Sequence, residues 1–399
     1  MDGEIGINSL LAVSVVSLLA PILLGLLPAR FRVPQVVVLL AGGVLIGPQV
    51  LGLGSPGDVR LLAEVGLGFV FLLAGYEVDL RLFWQDAGKR AIVGWLISVV
   101  LALGVIGVLA LSGLVRAYVP VALGMTTTAL GTLLPVLRER DMLSGRLGRC
   151  LLAAGAVGEL FPIIAIAIFL GTQNRFVALA SLGTVAVLAV VLSFTPQFVR
   201  RSRRLADVIE HGHHETSQII LRATVLLLIL LIAVTNEFHL DAVLGAFLAG
   251  MVLRRWEGAS APTLEFKLDA VGYGFFVPVF FVYSGMGLNI HSIAEAPLRV
   301  LLFFALMLLI RGVPALLVYR RVLSLRERTE AVLITATTLP LLVALAEIGL
   351  RNGTMLSENA AALVGAGVLT VLVLPAIATA LHRPEELGSW HPSEEQPER

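Results

Sequence analysis

The sequence predicts an all-α polytopic membrane protein with about thirteen transmembrane helices. Of its 399 residues, 57% are hydrophobic and 14% are charged, and the mean hydropathy is +0.93. Soluble domains carry about 25% charged residues, so this composition excludes an ordinary globular enzyme. The formal net charge is +1, which argues against a nucleic-acid partner, because nucleic-acid-binding domains concentrate Lys and Arg on one face.

Thirteen apolar runs approach the ~20 residues that a helix needs to cross a bilayer. They cover residues 8–28, 34–53, 59–77, 91–114, 118–137, 148–171, 176–199, 217–236, 240–256, 271–289, 297–319, 329–350 and 360–381. The start of the chain lacks the basic region of a secretory signal, so the first run is predicted to be a span. The chain has one cysteine, Cys150, which excludes an intramolecular disulfide and a cysteine-based metal site.

Positive charge alternates between the predicted loops. In chain order, the odd-numbered loops contain twenty Lys and Arg residues and the even-numbered loops contain five. Lys and Arg are retained on the cytoplasmic side of a membrane, so the N-terminus is predicted outside and the C-terminus in the cytoplasm. Thirteen spans are favoured because an even number of spans would break the alternation of Lys and Arg between odd-numbered and even-numbered loops.

Two charged residues lie deep within apolar runs. Glu159 is in the middle of the sixth run, in AGAVGELFPIIAIAI, and Arg311 is near the middle of the eleventh, in LLIRGVPALL. A charge at the centre of a membrane span costs roughly 2.5–3.5 kcal/mol by insertion scales, so each is predicted to have an internal role. One interpretation is an ion site at Glu159, and the alternative is a structural ion pair between the two residues.

Helix-breaking signals occupy matching places in the two halves of the chain. They are Thr126, Thr127, Thr128 and Pro135 in the fifth run, and Thr337, Thr338 and Pro340 in the twelfth. Proline removes a backbone donor and hydroxyls compete for the freed carbonyls, so both helices are predicted to break near the membrane centre. Continuous helices with proline kinks are the alternative. The two runs cross in opposite directions, as in inverted-repeat transporters whose ion sites lie where broken helices meet.

Three further acids lie nearer the ends of their runs. Glu64 in the third run and Glu347 in the twelfth are near the predicted outer side, where wet cavities or interfaces lower the cost of a charge. Glu77 is at the cytoplasmic end of the third run, and is expected to be a helix-end charge or part of an inner vestibule.

The chain resembles the monovalent cation:proton antiporter superfamily, particularly its bacterial sodium/proton exchangers and potassium-efflux antiporters. The segments that carry the resemblance are, in order, LPARFRVPQVVVLLAGGVLIGPQVLGL, LAEVGLGFVFLLAGYEVDLR, TTTALGTLLPVLRERDMLSGRLG, DAVLGAFLAGMVLRR and VGYGFFVPVFFVYSGMGLNI. The resemblance implies the sodium/proton antiporter fold with crossing broken helices. It also implies an exchanger domain over 1–382, with inverted repeats at roughly 8–199 and 217–381, a cytoplasmic linker 200–216 and a short cytoplasmic tail 383–399.

The resemblance also assigns site residues. In these families an adjacent polar pair in the sixth span ends in an acid that binds the cation and protons in turn, and the matching pair here is Gly158 and Glu159. Arg311 matches a basic residue of the eleventh span. Oxygen ligands for a dehydrated Na⁺ or K⁺ are expected from Glu159, the hydroxyls of Thr126, Thr127 and Thr128, and the unwound carbonyls of both broken helices.

The sequence thus predicts a secondary antiporter that exchanges Na⁺ or K⁺ for protons by alternating access. By resemblance it is expected in the bacterial inner membrane as a homodimer, without a cofactor. With one acid at the crossing, electroneutral exchange is expected. Because the tail is short, any nucleotide-dependent regulation is expected to come from a separate cytoplasmic chain. The alternatives are a proton-coupled organic-anion transporter of the same fold and a transport-inactive sensor or channel, although channels usually show repeated pore loops or charge rings.

Overall fold

A computed structural model describes residues 2–26, 34–113, 115, 118–169, 175–195, 218–256, 261–291, 297–351, 353 and 355–382, and it is helical with no strand in those ranges. The predicted linker, with its HGHH stretch, and the predicted tail lie outside the described residues. The all-α prediction is confirmed.

The helices follow the predicted runs in order, and we number them by span. They are α1 (Asp2–Leu26), α2 (Gln35–Ile46), α3 (Pro56–Glu77), α4 (Asp86–Leu111), α5a (Tyr118–Gly124), α5b (Leu130–Glu139), α6 (Gly145–Phe169), α7 (Arg175–Ser193), α8 (Ile219–Glu237), α9 (Ala242–Trp256), α10 (Ala261–Val271 and Val277–Gly287, joined by the π-helical turn Gly272–Phe276), α11 (Pro297–Met307 and Val313–Val318, joined by the π-helical turn Leu308–Gly312), α12a (Leu325–Thr335), α12b (Pro340–Arg351) and α13 (Ser357–Leu381). A 3₁₀ turn, Leu80–Trp84, precedes α4.

Ten of the described helical segments are long and apolar enough to cross a membrane. The other three predicted spans correspond to α2 with 12 residues, the divided fifth span, and α9 with 15 residues. The tenth span was predicted to begin at residue 271, but α10 begins at Ala261. Glu265, Lys267 and Asp269 lower the hydropathy of its first turns, and charged groups are tolerated there because they lie at the end of the span.

Hydrogen bonds between helices identify two faces of the molecule. On the face where α1 begins, Ser9 Oγ donates to Asp58 Oδ2 at 2.6 Å, which places the starts of α1 and α3 together. On the opposite face, Arg254 Nη1 donates to Tyr76 O at 2.7 Å, which places the ends of α3 and α9 together. We call these the N-terminal face and the C-terminal face. The pairs fit α1, α3 and α9 running in the same direction, as expected of odd-numbered spans.

The helices pack in two groups. The first group contains α1, α2, α3, α8, α9 and α10, and the second contains α4, α5a, α5b, α6, α11, α12a, α12b and α13, while α7 packs against α8 and α9 of the first group and α6 of the second. In the first group α3 and α9 approach through their backbones, because a Cβ on Gly250 would lie 2.0 Å from Leu72 O and one on Gly75 would lie 2.0 Å from Phe247 O. The small residues of GAFLAG, 245–250, therefore serve packing within the chain.

Candidate functional site

The fifth and twelfth spans are both broken, and the breaks cross. Helix α5a ends at Gly124 and α5b begins at Leu130, while α12a ends at Thr335 and α12b begins at Pro340. Between the two breaks, Ala129 N donates to Thr337 O at 2.9 Å. The hydroxyls of Thr127 and Thr338 are also hydrogen-bonded to each other. The prediction of two crossing broken helices is confirmed.

The two prolines occupy different positions relative to the breaks. Pro340 is the first residue of α12b, where a missing N–H leaves no helical hydrogen bond unmade and the fixed φ suits a helix start. Pro135 lies within α5b, more than one turn beyond the break. The fifth span is thus interrupted at residues 125–129, around its threonines, rather than at its proline.

Backbone donors freed by the breaks find partners in neighbouring helices. Thr128 N donates to Gly158 O of α6 at 3.0 Å, and Thr338 N donates to Thr370 Oγ1 of α13 at 3.1 Å. Buried polar groups need such partners, since an unpaired one in an apolar interior costs several kcal/mol. The crossing is therefore held by α6 and α13 as well as by itself.

Arg311 lies at this crossing and is 3% exposed. Its Nε donates to Thr128 Oγ1 at 2.9 Å and its Nη2 donates to Ala154 O at 2.8 Å. Thr128 Oγ1 in turn donates to Thr335 O at 2.6 Å. One guanidinium thus links the fifth, sixth, eleventh and twelfth spans. Among the described residues it has no carboxylate within ion-pair distance, so the proposed pairing with Glu159 is not observed.

Gly158 forms the floor beneath this guanidinium. A Cβ built on Gly158 would lie 2.6 Å from Thr128 Oγ1 and 2.7 Å from Arg311 Nη2. A Cβ atom does not approach other non-hydrogen atoms that closely, so any side chain at this position requires Arg311 or Thr128 to move. Arg311 fills the space that a polar side chain at position 158, the first of the pair in the sixth span, would occupy.

Glu159 lies beside the start of α5b. Its Oε1 accepts a hydrogen bond from Gly131 N at 3.3 Å, and its Oε2 has no hydrogen-bond partner among the described residues. The first backbone N–H groups of a helix lack internal acceptors and carry partial positive charge, so this position stabilises an anion. One carboxylate oxygen is therefore held while the other remains available to a cation or a proton.

A second carboxylate reaches the same glycine. A Cβ on Gly131 would lie 2.8 Å from Glu77 Oε2, and that oxygen also lacks a partner within the described part of the chain. Glu77 is the last residue of α3, which fits its predicted position at a helix end. Its proximity to Glu159 was not predicted, because the sequence does not show that the end of α3 packs against the break in the fifth span.

A cavity of about 480 Å³ extends from the crossing toward the C-terminal face. Its lining includes Glu159, Thr128, Thr338, Asp269 and Tyr273, and at the start of α2 it includes Gln35. Asp269 was missed because the predicted tenth span began after it. Tyr273 carries no sequence signal that distinguishes it from other residues of the span.

The other predicted ligands have more limited access to this cavity. Thr126 Oγ1 donates to Leu123 O at 2.8 Å and Thr127 Oγ1 donates to Gly124 O at 2.7 Å, and neither residue lines the cavity. Thr337 Oγ1 donates to Leu333 O at 3.0 Å. Of the three adjacent threonines, Thr128 alone contacts both the cavity and Arg311. No cluster of three or more His, Cys, Asp or Glu suited to a metal ion occurs in the described ranges.

Crossing broken helices around a buried carboxylate and a buried arginine define the class of cation:proton antiporters. The chain belongs to the sodium/hydrogen exchanger family, whose transmembrane profile matches residues 14–382. Its fold is similar to that of the sodium proton antiporter MjNhaP1 from Methanocaldococcus jannaschii, with a TM-score of 0.67 over 98% of this chain and 100% of that chain, at 17% identity. A second MjNhaP1 structure, at pH 8, gives a TM-score of 0.61 over 95% of each chain.

Curated relatives include both sodium and potassium systems. The chain is 27% identical to the putative Na⁺/H⁺ antiporter YjbQ of Bacillus subtilis over 95% of this chain and 64% of that protein. It is 26% identical to the probable Na⁺/H⁺ antiporter 3 of Methanocaldococcus jannaschii, over 87% and 90%. It is 28% identical to the glutathione-regulated potassium-efflux protein KefC of Salmonella paratyphi B, over 80% and 51%. The chain thus spans less than two thirds of the length of the first and third relatives, and the predicted family is confirmed.

We expect Thr128→Val to destabilise the folded protein by about 1–3 kcal/mol, because Arg311 Nε loses its acceptor and Thr335 O loses its donor in a buried site. Thr128→Ser keeps the hydroxyl and should lose much less. The matched control is Thr184→Val, since the Thr184 hydroxyl is exposed and bonds only to Ala180 O of its own helix. Thermal unfolding in detergent measures the effect. Equal midpoints for the two Val variants would contradict the bridging role of Thr128.

Proposed function

We propose that this protein is a secondary active antiporter that exchanges Na⁺ or K⁺ for protons by alternating access, with Glu159 as the carrier carboxylate. The observation that carries the proposal is the position of Glu159. Glu159 lines the cavity at the start of α5b. One of its carboxylate oxygens accepts a hydrogen bond from Gly131 N, and the other has no hydrogen-bond partner among the described residues. Membership of the sodium/hydrogen exchanger family supports the same reaction.

The exchange follows from competition for one charge. A proton or a monovalent cation neutralises Glu159, and a neutralised site crosses an apolar barrier at far lower cost than a charged one. The candidate cation ligands are the Glu159 carboxylate, the hydroxyls of Thr126, Thr127 and Thr128, and the carbonyls of the unwound segments. Among these threonines, Thr128 lines the cavity directly. All of these ligands are oxygens, which suits both Na⁺ and K⁺.

Arg311 gives the organic-anion alternative little support. A substrate clamp needs free donors facing the cavity, whereas this guanidinium is 3% exposed and already donates to Thr128 Oγ1 and Ala154 O. In our proposal its role is to hold the two breaks together. The fixed positive charge also offsets the negative ends of the broken helices.

The setting of the protein is also part of the proposal. We place it in the bacterial inner membrane, with the N-terminal face outside and the C-terminal face in the cytoplasm, as the loop charges indicate. The cavity at Glu159 then opens toward the cytoplasm, so the described conformation is inward-facing. The proposed functional unit is a homodimer in the lipid bilayer.

The first test of function is replacement of the acid. Glu159→Gln should abolish cation-dependent proton flux in proteoliposomes while the protein remains folded, and Glu159→Asp should retain part of the flux, because a carboxylate is needed and its reach is adjustable. The control is Glu358→Gln, which removes an exposed carboxylate paired with Arg299 at 2.8 Å. Flux at the wild-type rate in Glu159→Gln would place the carrier group elsewhere.

The second test concerns stoichiometry. One carrier carboxylate predicts one-for-one, electroneutral exchange, whose reversal point does not depend on voltage. A net elementary charge would instead feel ~2.3 kcal/mol per 100 mV. The structure adds Glu77 as the group to examine, since it reaches Gly131 beside Glu159. Proton flux is measured with the membrane potential clamped at zero or strongly negative inside. A reversal point that moves with voltage would contradict the one-for-one prediction, and its return to voltage independence in Glu77→Gln would assign the second proton to Glu77.

The third test fixes the orientation. In a Cys150→Ser background, single cysteines at Ser55 and Ser202 are predicted to react with a membrane-impermeant maleimide from opposite sides of the membrane. Ser55 immediately precedes α3 on the N-terminal face and should react from outside. Ser202 is in the predicted cytoplasmic linker. Labelling of both from the same side would overturn the thirteen-span orientation.

A further inference from the structure

The ion pairs of the described residues lie within one helix or within one helix group, with a single exception. The exception is Arg351 Nη1 with Glu64 Oε1 at 3.2 Å, which joins α12b of the second group to α3 of the first. Arg351 Nη2 also binds Glu347 Oε1 at 2.8 Å, and Arg60 Nε binds Glu64 Oε1 at 3.1 Å. Helices α3 and α12b otherwise pack mainly against other neighbours. Among the described residues, the Glu64–Arg351 pair therefore forms the ionic link across the boundary between the two groups.

This link lies above a thin barrier. A cavity of about 320 Å³ opens on the N-terminal face and is lined by Tyr283 of α10 and Val343 of α12b, as well as by Arg351. The cavity at Glu159 is lined by Phe281 of α10 and Leu341 of α12b. Along one helix face, the cavities are separated by three residues, from Phe281 to Ser284 on α10 and from Pro340 to Val343 on α12b, or about 4.5 Å at 1.5 Å per residue.

The wall between the two cavities is formed by α10 and α12b, which both contribute residues to each cavity. Helix α10 belongs to the first group and α12b to the second, so the barrier between the cavities lies on the same boundary that the Glu64–Arg351 pair bridges. Arg351 also lines a second cavity on the N-terminal face, next to Glu64. Separation of α12b from α3 and α10 would open a route from either cavity toward Glu159.

We propose that Arg351 is a gate residue, which binds Glu64 across the group boundary and so holds the N-terminal face closed while Glu159 is reached from the C-terminal face. This inference rests on the proposed antiport function. Passage of a cation from the N-terminal face requires the Glu64–Arg351 pair to part, and the flanking contacts to Glu347 and Arg60 hold both partners ready to close again. Arg351 acts through the position of α12b and does not contact the ion at Glu159.

The test measures access to a cysteine on the inner side of the barrier. In a Cys150→Ser background, Leu341→Cys is labelled in vesicles of known orientation by an impermeant maleimide applied from the N-terminal face. We expect Arg351→Gln and Glu64→Gln each to raise the labelling rate about two- to fivefold, the range that a half-exposed ion pair supports. The double variant should match either single variant, because the two changes remove the same interaction. Arg351→Lys should show a smaller rise, since it keeps the charge.

Arg299→Gln is the matched control, because it removes an arginine of the N-terminal face whose partner, Glu358, is in the same helix group. Labelling from the C-terminal face tests folding, since every folded variant should retain it. An unchanged rate from the N-terminal face in both Arg351→Gln and Glu64→Gln, or an equal rise in Arg299→Gln, would overturn the gate. The labelling assay does not measure transport. If the Glu159 test contradicts the proposed function, the labelling rates still show whether the ion pair holds the N-terminal face closed.

Discussion

The structure depends on satisfying backbone hydrogen bonds in the middle of the membrane. Breaks at residues 125–129 and 336–339 free donors and acceptors where there is little water to receive them. The breaks bond to each other, Thr126 N and Thr127 N donate to carbonyls of the preceding turn, and Gly158 O and the Thr370 hydroxyl bond to Thr128 and Thr338. The two breaks are therefore satisfied in part by α6 and α13, their neighbours in the second helix group.

Arg311 follows from the same constraint. The guanidinium is buried at the crossing and is satisfied by a hydroxyl and a carbonyl, both neutral, so its charge does not depend on the state of a carboxylate. Its bulk in turn requires a glycine at 158. The glycine that stands in place of the first polar residue of the family pair thus fits the space that Arg311 and Thr128 leave. The carboxylate of Glu159 is not paired with Arg311, which the proposed binding of a cation or a proton requires.

Features that depend on local signals could be predicted from the sequence. The order of the spans, the two breaks and the central positions of Glu159 and Arg311 all follow from hydropathy, loop charge and the threonine and proline clusters. The start of α10 could not be predicted, because its first turns are polar and the contacts of a span end decide how much polarity is tolerated. Pro135 was predicted to mark the break in the fifth span, but it lies within α5b, beyond the actual break. The partners of Arg311 and the approach of Glu77 to Gly131 could not be predicted, because they depend on packing between segments that are distant in the sequence.

The two carboxylates at Gly131 belong to different helix groups, Glu77 to the first and Glu159 to the second. In the proposed cycle, any movement of one group against the other changes the distance between them. Two like charges in a medium of low dielectric repel strongly at short range, so the arrangement that brings both to Gly131 is favoured when a cation or a proton neutralises at least one. A change of charge at the site therefore biases the arrangement of the groups, and by reciprocity the arrangement biases binding. In the proposed cycle, the repulsion between Glu77 and Glu159 near Gly131 is thus enough to couple binding of a cation or a proton to movement of the groups.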